Sequence, residues 1–283
     1  MSARKINSVA IVVKPDSEDA LATADELSSW LVANSLTQIG TPQIANGADA
    51  ARQPVGDADL VVVLGGDGTM IAAARLIGRS DALVLGINHG GLGYLTEFRI
   101  EEMFAAISSI VEGDYKIDSR VMLDAELRRG GEVVGSGRVL NDVVIDKAAL
   151  ARIINIEVRL NKLFVNRFRA DGLIVATPTG STAYNLSSGG PIIYPSMNAV
   201  VLTPICPFTL TNRPIVVPDD AEIELSLDTE HHGVALNLDG QAGFPMLGGD
   251  RVIIRKSETA LNLVQPTNRN YFDVLRDKLK WGR

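Results

Sequence analysis

The chain has 283 residues, 46% of them hydrophobic, and a formal net charge of −7. That length and apolar content allow a sizeable core, most simply in two domains. The acidic balance argues against a nucleic-acid binder and against an enzyme held on a membrane by Lys/Arg clusters, and the single cysteine, Cys206, excludes an internal disulfide or a cysteine metal cluster and fits a reducing cytoplasm.

In chain order, residues 6–13 (INSVAIVV) form a continuous apolar run, the mark of a strand buried on both faces. Lys14 and Pro15 end it, so it is too short for a signal peptide and reads as a first strand. A helix is predicted next, with Leu21, Ala24, Leu27 and Leu31 on its apolar face. A second buried strand over 58–66 runs into a glycine turn and a helix over 68–78. A third strand over 82–88 and an amphipathic helix over 100–113 follow. Strands alternating with helices predict a parallel sheet.

From about residue 118 the pattern changes to period two, with Gly130–Gly131 as a hairpin turn. Strand-like segments continue at 154–168, 172–177, 198–205, 221–228 and 233–240, and residues 270–282 turn helical again. The expected fold is α/β plus β: a Rossmann-like parallel-sheet domain over 1–117, a β-rich sandwich domain over 118–265, and a C-terminal tail, 266–283, whose helix returns to the first domain. The longest apolar stretch, near Val200, is broken by Pro204 and Pro207, so no membrane-spanning helix is expected.

The turn Gly65-Gly66-Asp67-Gly68-Thr69 lies between a strand and a helix, which makes an anion site of orphan N–H groups and a partial positive charge. No Gly-Lys dipeptide occurs, so this is not a Walker A loop, and the dinucleotide fingerprint is absent. Asp67 has two readings. Aspartate is a favoured helix N-cap; a carboxylate facing phosphates can also bind Mg²⁺ or take the proton of an attacking hydroxyl, both needs of phosphoryl transfer. A second segment, residues 168–192, is too rich in hydroxyls and glycines for a plain loop and suits ribose and phosphate oxygens. Ser181 is not in a nucleophile elbow.

GGDGT at 65–69, INHGGLGYLTE at 87–97, LND at 140–142, DGLIVATPTGSTAYNLSSGGPI at 171–192 and DGQ at 239–241 together resemble the NAD kinase family. The resemblance spans about residues 8–265, and GGDGT combined with TPTGSTAY is highly specific. It implies phosphoryl transfer from ATP or polyphosphate to the 2′-hydroxyl of the adenosine ribose of NAD, giving NADP, by a cytoplasmic homo-oligomer (dimer or tetramer) that needs a divalent cation, expected to be Mg²⁺.

The same resemblance implies the site. Asp67 would be the general base, with Gly68 beside the ribose and Gly65, Gly66, Gly68 and Thr69 around phosphate. Asn88 and Tyr94 would contact the dinucleotide; Tyr94 stands where the family usually has phenylalanine. Asn141 and Asp142 would hold ribose or adenine, Asp171 the nicotinamide side, and Thr182, Ala183, Tyr184, Asn185, Leu186 and Ser187 the adenine and ribose pocket. Gln241, Arg152 and Arg169 would add substrate contacts. No metal ligand is assigned, because the ion would be held by phosphates and water. His89 is expected to be structural or solvated, His231–His232 a hairpin-turn pair, and Phe208, Leu210 and Ile215 core or interface. Two alternatives stay open: a lipid kinase with a similar turn, and a nucleotide-binding sensor without turnover.

Overall fold

A computed structural model of the chain describes residues 5–44, 55, 57–77, 81–91, 93–148, 152–209, 211–228 and 233–281. They divide into two compact units, residues 1–119 with 261–283 and residues 120–260. Among the described residues no helix is long and apolar enough to cross a membrane.

The first unit is built on a sheet in which Ser8–Val13, Leu60–Leu64 and Leu83–Asn88 run parallel, with Leu60–Leu64 between the other two. Every residue of Leu60–Leu64 is buried, as unbroken apolar runs predict for a strand covered on both faces. In register, Val13, Leu64 and Ile87 form one row. The chain therefore leaves three adjacent strands at Lys14, Gly65 and Asn88, along the carboxyl edge where open α/β sheets hold ligands.

The helix Glu18–Ala33 is capped by Ser17, whose side chain accepts from the Ala20 N–H. It buries Ala20, Thr23, Ala24, Leu27 and Leu31. Leu21, expected on that face, is 45% exposed. The buried stripe follows 20, 24, 27 and 31, and Leu21 sits about 100° round the helix from Ala20.

Leu261–Gln265, expected with the second domain, pairs in parallel with Leu83 and Val84 and belongs to the first sheet. The helix Tyr271–Leu279 follows, opened by a capping box between Asn270 and Asp273. Just before it, Arg269 donates to Glu102 (2.8 Å) and to the Glu97 carbonyl, which ties the tail to the first unit.

Among its described residues the second unit contains two six-stranded antiparallel sheets. In one, strands such as Leu123–Arg129, Ile154–Leu160 and Ile223–Leu227 alternate buried and half-buried residues. In the other, Asp142–Lys147, Gly172–Ala176 and Ala199–Ile205 are buried along nearly their whole length. The difference has a packing cause. Within this unit, one face of the latter sheet packs on the former in a core that includes Ile156, Phe168, Val143, Leu173, Val175 and Leu202. Its other face, through Val144, Ile174, Ala176 and Val201, is covered by Ile193 of the glycine-rich segment. That segment is therefore a third layer, and it contains a turn of 3₁₀ helix, Gly180–Thr182, and a short helix, Tyr184–Ser187, that the sequence pattern did not predict.

Phe168 is 1% exposed in the inter-sheet core. Phe168→Ala is expected to cost about 3–5 kcal/mol, read as a lower urea midpoint with an unchanged slope.

Candidate active site

In the first unit the site begins where the buried strand Leu60–Leu64 gives way to the helix Asp67–Leu76. The N-cap is Gly66, in an extended conformation, and no side chain caps the helix. Backbone closes part of its first turn, the Thr69 and Met70 N–H groups donating to the Gly66 carbonyl (3.0 and 3.1 Å), and no side chain at Gly66 or Gly68 shields the positive end of the helix.

Asp67 is thus the first helical residue rather than the cap, and its carboxylate turns to a different segment. Oδ2 accepts from the Tyr94 N–H (2.8 Å), and Oδ1 from the Leu95 N–H (2.9 Å), the Thr96 N–H (3.3 Å) and the Thr96 hydroxyl (3.2 Å). The approach is close enough to demand glycine at 93, where a Cβ would lie 2.1 Å from Asp67 Oδ1. Of about four lone-pair positions on a carboxylate, the open one is on Oδ2. Thr96, fully buried, was missed by the sequence reading; it links Asp67 to Asn88, whose Nδ2 donates to Thr96 Oγ1 (3.0 Å).

Asn88 also donates to the Gly91 carbonyl and accepts from the Gly90 N–H. Its side chain shapes the glycine loop and is spent on that task. The Tyr94 phenol sits near enough to Asp67 that burial, and secondly that carboxylate's charge, raise its pKa above 10, so it stays protonated. His89 pairs through Nε2 with Thr23 Oγ1 (3.0 Å). The Thr23 proton already goes to the Asp19 carbonyl, so His89 is the donor and is held on the helix as a structural group. Leu92, in the same loop, lies outside the described residues, as do Leu210 and His231–His232.

In the second unit, Asn141 and Asp142 open the strand Asp142–Lys147 beside the turn at 239–241. The backbone of Asn141 is packed against Gly180, where a Cβ would lie 2.1 Å from the Asn141 carbonyl oxygen. Asn141 is half-buried, and no described residue hydrogen-bonds its side chain. The Asp142 side chain is buried; burial first, and then the charge on Asp239, push its pKa up from 3.8 to about 7. Gln241 is half-buried on the same turn.

Tyr184 is 44% exposed. Its hydroxyl is held protonated by partial burial and by the nearby charges of Asp146, Cys206, Asp142 and Asp171, in that order. Asp171 is paired with Lys147 at 3.4 Å. Tyr184, Asp142 and Asp171 are therefore neighbours. Thr182 bonds back to the Thr179 carbonyl, Ser187 is exposed, and Leu186 is half-buried beside Ala183.

One placement corrects the sequence reading, and two others locate residues named there. The Asn185 side chain is fully buried, donating to the carbonyls of Ser181 and Pro191 and accepting from Thr203 (2.6 Å), so it braces the segment and does not face a ligand. Phe208, expected in the core or at an interface, is outside the core: it is 64% exposed, with the Arg169 guanidinium 4.4 Å above its ring, a cation–π contact. Arg152 is exposed, and no described contact links it to the Tyr184 cluster.

Among the described residues no group of three or more His, Cys, Asp or Glu side chains is placed to hold a metal. Mg²⁺ does not require one: it is commonly held by one or two carboxylates with substrate phosphates and water. Here the ion would be held by donor phosphates and water, so the one open acceptor position, on Asp67 Oδ2, is not needed for it.

Two family models match the chain: "ATP-NAD kinase N-terminal domain" over residues 9–115 and "ATP-NAD kinase C-terminal domain" over residues 140–266. The chain is similar to an NAD kinase of Geotalea daltonii, 48% identical over 97% of this chain and 98% of that protein. It is similar to an NAD kinase of Magnetococcus marinus, 45% identical over 98% and 94%. Among solved structures, an Archaeoglobus fulgidus NAD kinase in complex with ATP superposes with a TM-score of 0.75 at 25% identity, over 96% of this chain and 98% of that one. Yeast NADH kinase complexed with NADH superposes at 0.86 with 23% identity, over 99% and 89%, a likeness of fold.

Asp142 gives a pH test of this geometry. Its folded pKa is raised, so its contribution to stability is complete below pH 3.8 and is lost as pH rises through about 7. Asp142→Asn is expected to be more stable than the parent at pH 8 by about 4 kcal/mol, with the gap closing below pH 4. Urea denaturation at several pH values measures it; a gap independent of pH contradicts the buried-acid geometry.

Proposed function

The chain belongs to the NAD kinase family, and from that premise we propose that it transfers a phosphoryl group from ATP, or from polyphosphate, to the 2′-hydroxyl of the adenosine ribose of NAD, producing NADP. The observation that carries this reading is the uncapped helix start at Gly66 with the Asp67 carboxylate anchored beside it.

The division of labour follows from the chemistry. The positive end of the helix after Gly66, unobstructed by side chains at Gly66 and Gly68, takes donor phosphate oxygens, with Gly65 and Thr69 shaping the turn. This replaces the lysine of a Walker loop. Mg²⁺, when bound, neutralises charge on the transferring phosphates.

A ribose hydroxyl is a weak acid, so a base must accept its proton. In a loose transition state the transfer comes late, and a carboxylate suffices. Asp67 fits because three of its four contacts fall on Oδ1, which leaves Oδ2 to receive the proton. Such help is typically worth about 10²–10⁴-fold. The second unit supplies substrate contacts in this reading: Asn141 offers an amide without a partner among the described residues, Tyr184 a half-exposed ring for a base, and Asp171 a carboxylate for the positive nicotinamide end. Gln241, Arg152 and Arg169 are further proposed contacts, and the assembly is proposed to be a cytoplasmic homo-oligomer.

The lipid-kinase alternative leaves Asn141 and the layer over 178–193 without a task. A sensor without turnover has no use for an oriented carboxylate at Asp67.

The direct test is incubation with NAD, Mg²⁺ and either ATP or polyphosphate, with NADP read by an NADP-specific dehydrogenase. No NADP from any donor overturns the reading. Asp67→Asn is expected to lower kcat by about 10² or more while NAD affinity stays within a few-fold. Thr96→Val, which removes one hydrogen bond to the same carboxylate, is expected to lower kcat only about five-fold. Substantial turnover by the Asp67 variant removes the base assignment.

A further inference from the structure

We propose that Asp239, a residue with no substrate contact assigned to it, is a positioning residue of the dinucleotide site: it locks the backbone of residues 140–142 and so presents the Asn141 side chain to the substrate. The proposal rests on the reading of Asn141 as a contact to ribose or adenine.

The hydrogen bonds of the segment are completely assigned. The Asp239 carboxylate accepts from three successive N–H groups: Leu140 to Oδ2 (3.0 Å), and Asn141 (2.8 Å) and Asp142 (3.0 Å) to Oδ1. The Asp239 N–H donates back to the Asp142 carbonyl (3.0 Å). Thr177 takes the other two carbonyls, Leu140 through its hydroxyl (2.6 Å) and Asn141 through its N–H (2.9 Å). Two residues thus satisfy all six backbone polar groups of three residues. What remains at Asn141 is a half-buried side-chain amide that no described residue engages. An amide left over from so complete a network, and still within reach of solvent, is available to a ligand.

The location of Asp239 explains its selection. It joins Val234–Leu238 to Ala242–Met246, with Asp239 and Gly240 at φ +53° and +62°. A tight hairpin turn of that kind accepts Asn, Asp or Gly at its first left-handed position. Turn geometry alone does not distinguish them. Only aspartate offers an acceptor-only carboxylate with room for three N–H donors. Val234–Leu238 pairs with Asp142–Lys147, with Leu238 opposite Val143, which sets the turn beside the residues it holds.

The test is steady-state kinetics of Asp239→Asn beside Asn141→Ala and the double variant. Asparagine keeps the turn and removes the three-way acceptor. KM for NAD is expected to rise on the order of ten-fold, with kcat within about three-fold and KM for ATP unchanged. The double variant is expected to be no worse than the worse single one, because both act through one amide.

A second readout separates positioning from general damage. Asp142 is faced by Asp239 from the turn and by Tyr184 from the covering segment, and its pKa lies near 7 partly because of the Asp239 charge. The pH dependence of KM for NAD near neutrality should therefore shift to lower pH in Asp239→Asn. Should that variant not fold, Asp239→Gly, which suits the left-handed turn, takes its place. An unchanged KM for NAD, an unshifted pH profile, or additive losses in the double variant overturns the proposal. If Asn141→Ala itself leaves KM for NAD unchanged, the assignment of Asn141 fails first; if the parent makes no NADP, the proposed function fails.

Discussion

A carboxylate that accepts consecutive backbone N–H groups from a distant segment is the interaction on which the rest of this protein depends. Asp67 does this for Tyr94, Leu95 and Thr96, and Asp239 does it for Leu140, Asn141 and Asp142. Asp59 is a smaller example, taking the N–H groups of Asn7 and Ser8 at the start of the first strand. Each case fixes a loop at a strand end with one charged acceptor. Charge-assisted hydrogen bonds are stronger than neutral ones, and a loop so held loses little further order when a ligand arrives.

The two anchors differ in what they leave open. At Asp67 the unspent valence belongs to the carboxylate itself, on Oδ2, which gives the residue a chemical role as well as a mechanical one. At Asp239 the carboxylate is consumed, and the unspent group belongs to a neighbour, the Asn141 amide. Glycine makes both arrangements possible, since the approach of Gly93 to Asp67 and of Gly180 to Asn141 leaves no volume for a Cβ. The negative charge in the phosphate turn is thus explained before any metal is considered: Asp67 is neutralised by backbone dipoles on the side away from the turn.

The glycine-rich segment 178–193 shows how one stretch serves two demands. Ser181 and Asn185 point inward and are consumed by its own backbone and by Thr203. Tyr184 points outward, into the neighbourhood of Asp142, Asp146 and Asp171. A dense motif therefore marks the site without saying which of its side chains meet substrate, and about half of them build the platform.

The amino-acid sequence by itself determined the architecture: parallel strands where apolar runs were unbroken, an antiparallel sandwich where period two began, and a returning C-terminal helix. Those patterns report burial, which local sequence carries. It also marked the turn at Asp67 and the chain's family. The tertiary structure alone decided the assignments that depend on partners far along the chain. Leu261–Gln265 joined the first sheet because its neighbour is Leu83, and Leu21 faced outward because Ala20 met the sheet. Asn88 and Asn185 became braces, and Asp239 became an anchor, through contacts that period and propensity do not encode. Asp239 and the residues it holds are 97 to 99 positions apart. A hydrogen bond across that distance exists only once the strands between have paired.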